Sequence, residues 1–135
     1  LQSNGFINSG GSINHISSHI VRHALELDLM QEHIAILREA YGSRLNVMQQ
    51  ELNASFGSLA EWLTPEGGYF FWLQFDRSVD LTPLRAEAQA AQTGFQAGAV
   101  FSPTGELRHC MRLCFAHYIE DDIREGIARL RALFQ

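Results

Sequence analysis

Cys110-Met111-Arg112-Leu113-Cys114-Phe115 sets a permanent cation in the middle of an apolar run, and its length and composition read as a buried strand. Side chains alternate along a strand, so Cys110, Arg112 and Cys114 share one face while Met111, Leu113 and Phe115 share the other. The wholly apolar face is expected to meet helices, which leaves Arg112 looking away from that core toward solvent or a pocket. A buried guanidinium is costly unless an anion meets it, and its planar five-donor fork suits a carboxylate held through two parallel hydrogen bonds. The plainer reading is an arginine on an open sheet face paired with a local acid such as Glu106. Periodicity alone leaves both open and leans toward the plainer one.

Working outward, Pro103-Thr104-Gly105-Glu106 reads as a turn and residues 94–101 as a short strand or two. Thr82 is expected to cap a helix with Pro83 at its first position and Gly94 at its end. Thr64-Pro65-Glu66-Gly67-Gly68 interrupts a helical pattern and leads into Tyr69-Phe70-Phe71-Trp72-Leu73-Gln74-Phe75, whose aromatic density favours a strand. The glycine pair is too short to cradle a phosphate, and its expected role is to let backbone pass close to another element. Further upstream, Met30, Ile34, Leu37, Tyr41, Leu45, Met48 and Leu52 keep one helical rhythm over residues 29–53. Gly42 interrupts it at a cost of up to ~1 kcal/mol relative to alanine, so packing must stabilise this helix.

A shorter helix over residues 14–27, capped by Ser12 or Asn14, lines up Ile13, Ile16, Ile20, Ala24 and Leu27, preceded by a lead-in of turn formers over residues 3–12. Downstream, a helix starting near Ile119 carries Glu120, Asp121 and Asp122 first and Arg129 and Arg131 last, which complements its dipole, with Ile123, Ile127, Leu130 and Phe134 as its apolar stripe. The order is α, α, β, α, β, β, α. It implies an α+β fold, a small, mainly antiparallel sheet with helices packed on one face and a long helix before it. Residues 1–135 are expected to form one domain, with a lead-in and linking helix over 1–28 and the core over 29–135.

Composition removes several function classes. With 135 residues, a formal charge of −5 and no basic block, the chain lacks the footprint of phosphate-backbone binding, so no nucleic-acid partner is expected for this segment. No stretch approaches the roughly 18 apolar residues of a membrane span, and no membrane partner is expected. The two cysteines flank Arg112 on one face, are poorly placed to bridge each other, and suggest reduced thiols and a cytoplasmic location. As a nucleophile a cysteine is a weaker candidate, because thiols buried in a strand are usually inert. His15, His19 and His23 recur every fourth residue, but eight residues of helix rise ~12 Å, too far for one ion, and no metal is expected. All ten basic residues are arginine, so any chemistry needing a lysine amine must come from outside this stretch; the missing initiator methionine adds to the expectation of a fragment.

Three ordered blocks carry a resemblance. Leu37-Arg38-Glu39-Ala40-Tyr41-Gly42-Ser43-Arg44 is similar to a Leu-Arg-x-x-Tyr-x-x-Arg helix segment. Pro65-Glu66-Gly67-Gly68-Tyr69-Phe70-Phe71-Trp72-Leu73 is similar to a Pro-x-Gly-Gly-(Met/Tyr/Phe)-Phe-x-Trp strand. The third block runs from Gly94 through Gly98, Phe101 and Ser102 to Met111-Arg112-Leu113-Cys114-Phe115-Ala116, and resembles Gly-Val-x-x-x-Pro-Gly-x-x-Phe followed by (Leu/Met)-Arg-Leu-x-Phe-Ala, with Ala97 in place of the proline. Together they resemble the C-terminal, small domain of the class I/II aminotransferases, pyridoxal-phosphate enzymes of fold type I. The stretch around Asn14, with its Ser9-Gly10-Gly11-Ser12 lead-in, is similar to the 2-aminoadipate and kynurenine aminotransferase branch and to the aminotransferase-like half of certain transcription regulators.

The resemblance implies that Arg112 matches the arginine that clamps the substrate's α-carboxylate, which reverses the leaning from periodicity, and that Tyr69 and Phe101 line the substrate side of the cleft. It implies a cytoplasmic, homodimeric parent enzyme that uses pyridoxal 5'-phosphate to move an amino group from an amino acid to a 2-oxo acid. The cofactor lysine is expected upstream, so the fragment alone is expected neither to catalyse nor to bind the cofactor. The alternatives are the effector half of a DNA-binding regulator and a stand-alone, cofactor-free ligand-binding domain.

Overall fold

The computed structural model of the chain describes residues 14–134, and the expected lead-in over 3–12, Ser12 as a cap and Ile13 lie outside the described residues. The chain divides into two compact units, Leu1–Glu39 and Ala40–Gln135. In the first, α1 (His15–Glu26) is capped by Asn14, whose side chain accepts the Ser17 N–H at 3.2 Å. Arg22 and Glu26 pair one turn apart at 2.7 Å, an exposed contact of little energetic weight. The apolar stripe is uncovered: Ile16, Ile20 and Leu27 are 74%, 65% and 68% exposed. Asp28, at φ 57°, turns the chain from α1 into α2 (Leu29–Phe56).

In the second unit the rhythm of α2 translates directly into burial. Tyr41 and Leu45 are half-buried, Met48 and Leu52 are buried, and the helix runs a turn past its expected end to bury Phe56. A four-stranded antiparallel sheet follows, built from β1 (Ala60–Glu61), β2 (Phe70–Phe75), β3 (Gln96–Ala97) and β4 (Cys110–Cys114) in the order β1-β2-β4-β3. Phe71, Leu73, Phe75, Met111, Leu113 and Phe115 are buried together with Leu52 and Phe56 of α2, Ala88 of α3 (Leu84–Ala90), and Ile123, Ile127 and Leu130 of α4 (Glu120–Ala132). Each of the larger apolar side chains among them contributes on the order of 1.5–3 kcal/mol when fully buried. The helices therefore cover one face of the sheet, and the fold is α+β as its sequence implies.

Local details depart from expectation for identifiable reasons. Thr82 does not cap α3. Asp80 forms the turn instead, its carboxylate accepting the Thr82 N–H at 2.9 Å, and Pro83 takes the cap position. The helix ends at Ala90 rather than running to Gly94, with Gln92 in the left-handed conformation at φ 55° and the Thr93 N–H donating to the Ala88 carbonyl at 2.9 Å. Residues 94–101 hold a two-residue strand and then a 3-10 turn, Gly98–Phe101. No backbone presses on Gly67 or Gly68; Gly68 is needed for its φ of 82°. The close approach is at Gly98, where a Cβ would lie 2.3 Å from the Leu107 carbonyl oxygen and 2.7 Å from the Cys110 Cβ. The short strand β1 has no counterpart among the elements expected from the sequence.

Candidate functional site

Arg112 occupies β4, with β2 on one side and β3 on the other, its Cα opposite Trp72 and Gln96. Hydrogen bonding on both edges fixes the backbone here, so only the side chain has freedom. Alternation turns that side chain to the face away from the helices, where it is half-buried. Its Cζ sits 3.9 Å from the centroid of the Phe70 ring and 4.7 Å from that of Phe101. Among the described residues no carboxylate is within ion-pair distance of it, Glu106 included. The guanidinium is held by aromatic faces rather than neutralised by an acid, and its N–H edge stays available for an anion.

The rest of this face supports that placement. Trp72 meets Phe101 edge-on at 5.6 Å. Cys110 lies beneath them, buried against the Gly98 turn; burial pushes its thiol pKa up, and a hydrogen bond with the Trp72 indole only partly offsets this. A thiol held neutral in this way is a poor nucleophile. Cys114 is exposed, and both cysteines are free. Of the three candidate residues, the structure brings Arg112 and Phe101 together. Tyr69 points elsewhere: its ring meets Tyr41 edge-on at 5.2 Å and Phe70 at 6.5 Å. Phe70, one position along, makes the contact with Arg112. Extending the two-residue period of β4 across to β2 would have found it, because Phe70 shares a face with Trp72.

The loop leaving β4 is tied back to α2. Arg44 Nη1 donates to the Ala116 carbonyl at 2.5 Å, and the Ser43 hydroxyl donates to Glu120 Oε1 at 2.7 Å. That hydroxyl bond is the main reason the Glu120 carboxyl lies below its ordinary range. A cleft of about 770 Å³ opens at the β3 side and is lined by Gln92, Thr93, Gln96, Arg112, Cys114 and Arg129, among others. Phe70 and Phe101 are not among the residues that line it. Among the described residues no three histidine, cysteine or acidic side chains cluster as metal ligands would, and no helix is long and apolar enough to cross a membrane.

No protein-family model matches the chain. An aromatic-amino-acid aminotransferase of Thermococcus litoralis is 31% identical over 101 residues, 75% of this chain and 24% of that protein. The chain's homologues include aminotransferases of the pyridoxal-phosphate fold type I. The kynurenine aminotransferase of Pyrococcus horikoshii, solved in complex with PMP, superposes with a TM-score of 0.75 at 28% identity over 81% of this chain and 27% of that one. The regulator NorG of Staphylococcus aureus, of the HTH type, is 27% identical over 125 residues, 92% of this chain and 27% of the regulator. The chain thus spans about a quarter of the length of the proteins it matches.

Proposed function

We propose that this chain is the substrate-orienting small domain of a pyridoxal-phosphate aminotransferase, with Arg112 gripping the α-carboxylate of the amino acid and of the 2-oxo acid. The observation that carries the reading is the Arg112 guanidinium itself, on a central strand, with its Cζ over the faces of Phe70 and Phe101 and unpaired by any acid among the described residues. Two parallel charge-assisted hydrogen bonds from one rigid fork fix both the position and the plane of a carboxylate, and such orientation is what a reaction at the neighbouring carbon requires. Phe101 flanks the approach to it, and Phe70 stands there in place of Tyr69, whose ring turns toward Tyr41.

The cofactor, when bound, supplies the electron sink for the bonds at that carbon. This stretch has no lysine to attach it, so the residues present fit the substrate and not the cofactor's anchor, which belongs to another part of the protein. The parent is read as a cytoplasmic homodimer.

The test is Arg112→Ala in the full-length protein. Losing two charge-assisted hydrogen bonds should weaken amino-acid binding roughly a hundredfold, while the visible absorption of the bound cofactor stays in place. Unchanged amino-acid kinetics would remove Arg112 from the role. The match to NorG supports a second reading, in which the same domain senses a ligand for a DNA-binding regulator. A helix-turn-helix domain in the full-length protein, together with sequence-specific DNA binding, would select it.

A further inference from the structure

We infer that Phe70 and Phe101 are positioning residues for Arg112, fixing the plane of its guanidinium before any carboxylate arrives. This rests on the reading of Arg112 as a carboxylate site and adds the device that sets its geometry. Neither ring is core filling: Phe70 is 40% exposed and Phe101 43%, and both lie on the sheet side opposite the helices. Phe70 reaches Arg112 from β2 along the diagonal, since the register places Phe70 opposite Cys114 and Trp72 opposite Arg112. Phe101 arrives from the other side at the end of the 3-10 turn. That turn is pressed onto β4 by the close approach at Gly98, and Trp72 holds the Phe101 ring edge-on.

The choice of rings over an acid has a chemical consequence. An aspartate or glutamate could hold the fork equally well, but it would occupy the N–H groups that a ligand needs and cancel the charge that attracts it. An aromatic face attracts the guanidinium without accepting its in-plane N–H bonds, so orientation is gained with all five donors free. An arginine that is already immobile has less rotamer freedom to lose when it binds.

The experiment compares Phe70→Leu, Phe101→Leu, Phe70→Tyr and Phe101→Tyr in the full-length protein. The readout is the Kd of 3-phenylpropionate, a monocarboxylate without an amine, with Arg112→Lys alongside. Each leucine variant should bind roughly three- to tenfold more weakly, the cost of immobilising one long side chain, and each tyrosine variant should return to within about twofold of the parent. In the Arg112→Lys background, Phe70→Leu should change nothing further. Leucine variants that bind as the parent does, or tyrosine variants as weak as leucine, overturn the positioning role while leaving Arg112 as the carboxylate site. If the parent does not bind 3-phenylpropionate, or Arg112→Lys binds it as well as the parent does, the underlying reading falls as well.

Discussion

Arg112 and Gly98 show how single residues fix this surface. The arginine offers a charge, whereas the glycine offers space: the 3-10 turn lies so close to the start of β4 and the residues before it that a Cβ at Gly98 would stand 2.7 Å from the Cys110 Cβ and 2.3 Å from the Leu107 carbonyl oxygen. Both obstructing neighbours are backbone or the stem of a buried side chain, so neither yields easily. Gly98→Ala should destabilise the fold by about 2 kcal/mol or more, read as a lower denaturant midpoint at unchanged slope. Gly42 is the opposite case. It sits inside α2 with nothing within 4 Å of the place an added methyl would take, so Gly42→Ala should stabilise by about 0.5–1 kcal/mol, and a lower midpoint would refute the open space seen there.

Among the elements, those with a long uniform period were legible and those made by a single contact were not. The spacing of Met30 through Leu52 and the alternation in Cys110–Phe115 fixed a helix and a strand with their buried faces, because many side chains vote together. Strand β1, the early end of α3 and the shortness of β3 depend on one partner each, and nothing local in the sequence announces that partner. The candidate site divides the same way. Arg112 stood out by charge in an apolar run, while Phe70 emerged only with the pairing of β2 to β4. The α2–α4 tie is also a single contact, and it has a signature in pH. Ser43 stabilises the ionised Glu120, whose folded pKa is depressed, so this contribution is present above the ordinary carboxylate pKa and is lost as pH falls through the folded value. Ser43→Ala should move the Glu120 titration upward by NMR, and an unmoved curve would show that the hydroxyl is not what lowers it.

Across the whole molecule, negative charge is in excess and every cation is an arginine. The candidate site sets one of these against two rings in place of a carboxylate. A guanidinium keeps its positive charge in proteins, and a benzene ring has no proton to exchange. An anion's grip at this position is therefore set by the anion's own ionisation, and it stays level across the neutral range. Any bell-shaped rate profile of the full-length protein then reports on groups elsewhere, and carboxylate affinity measured against pH provides a flat baseline from which those groups can be read.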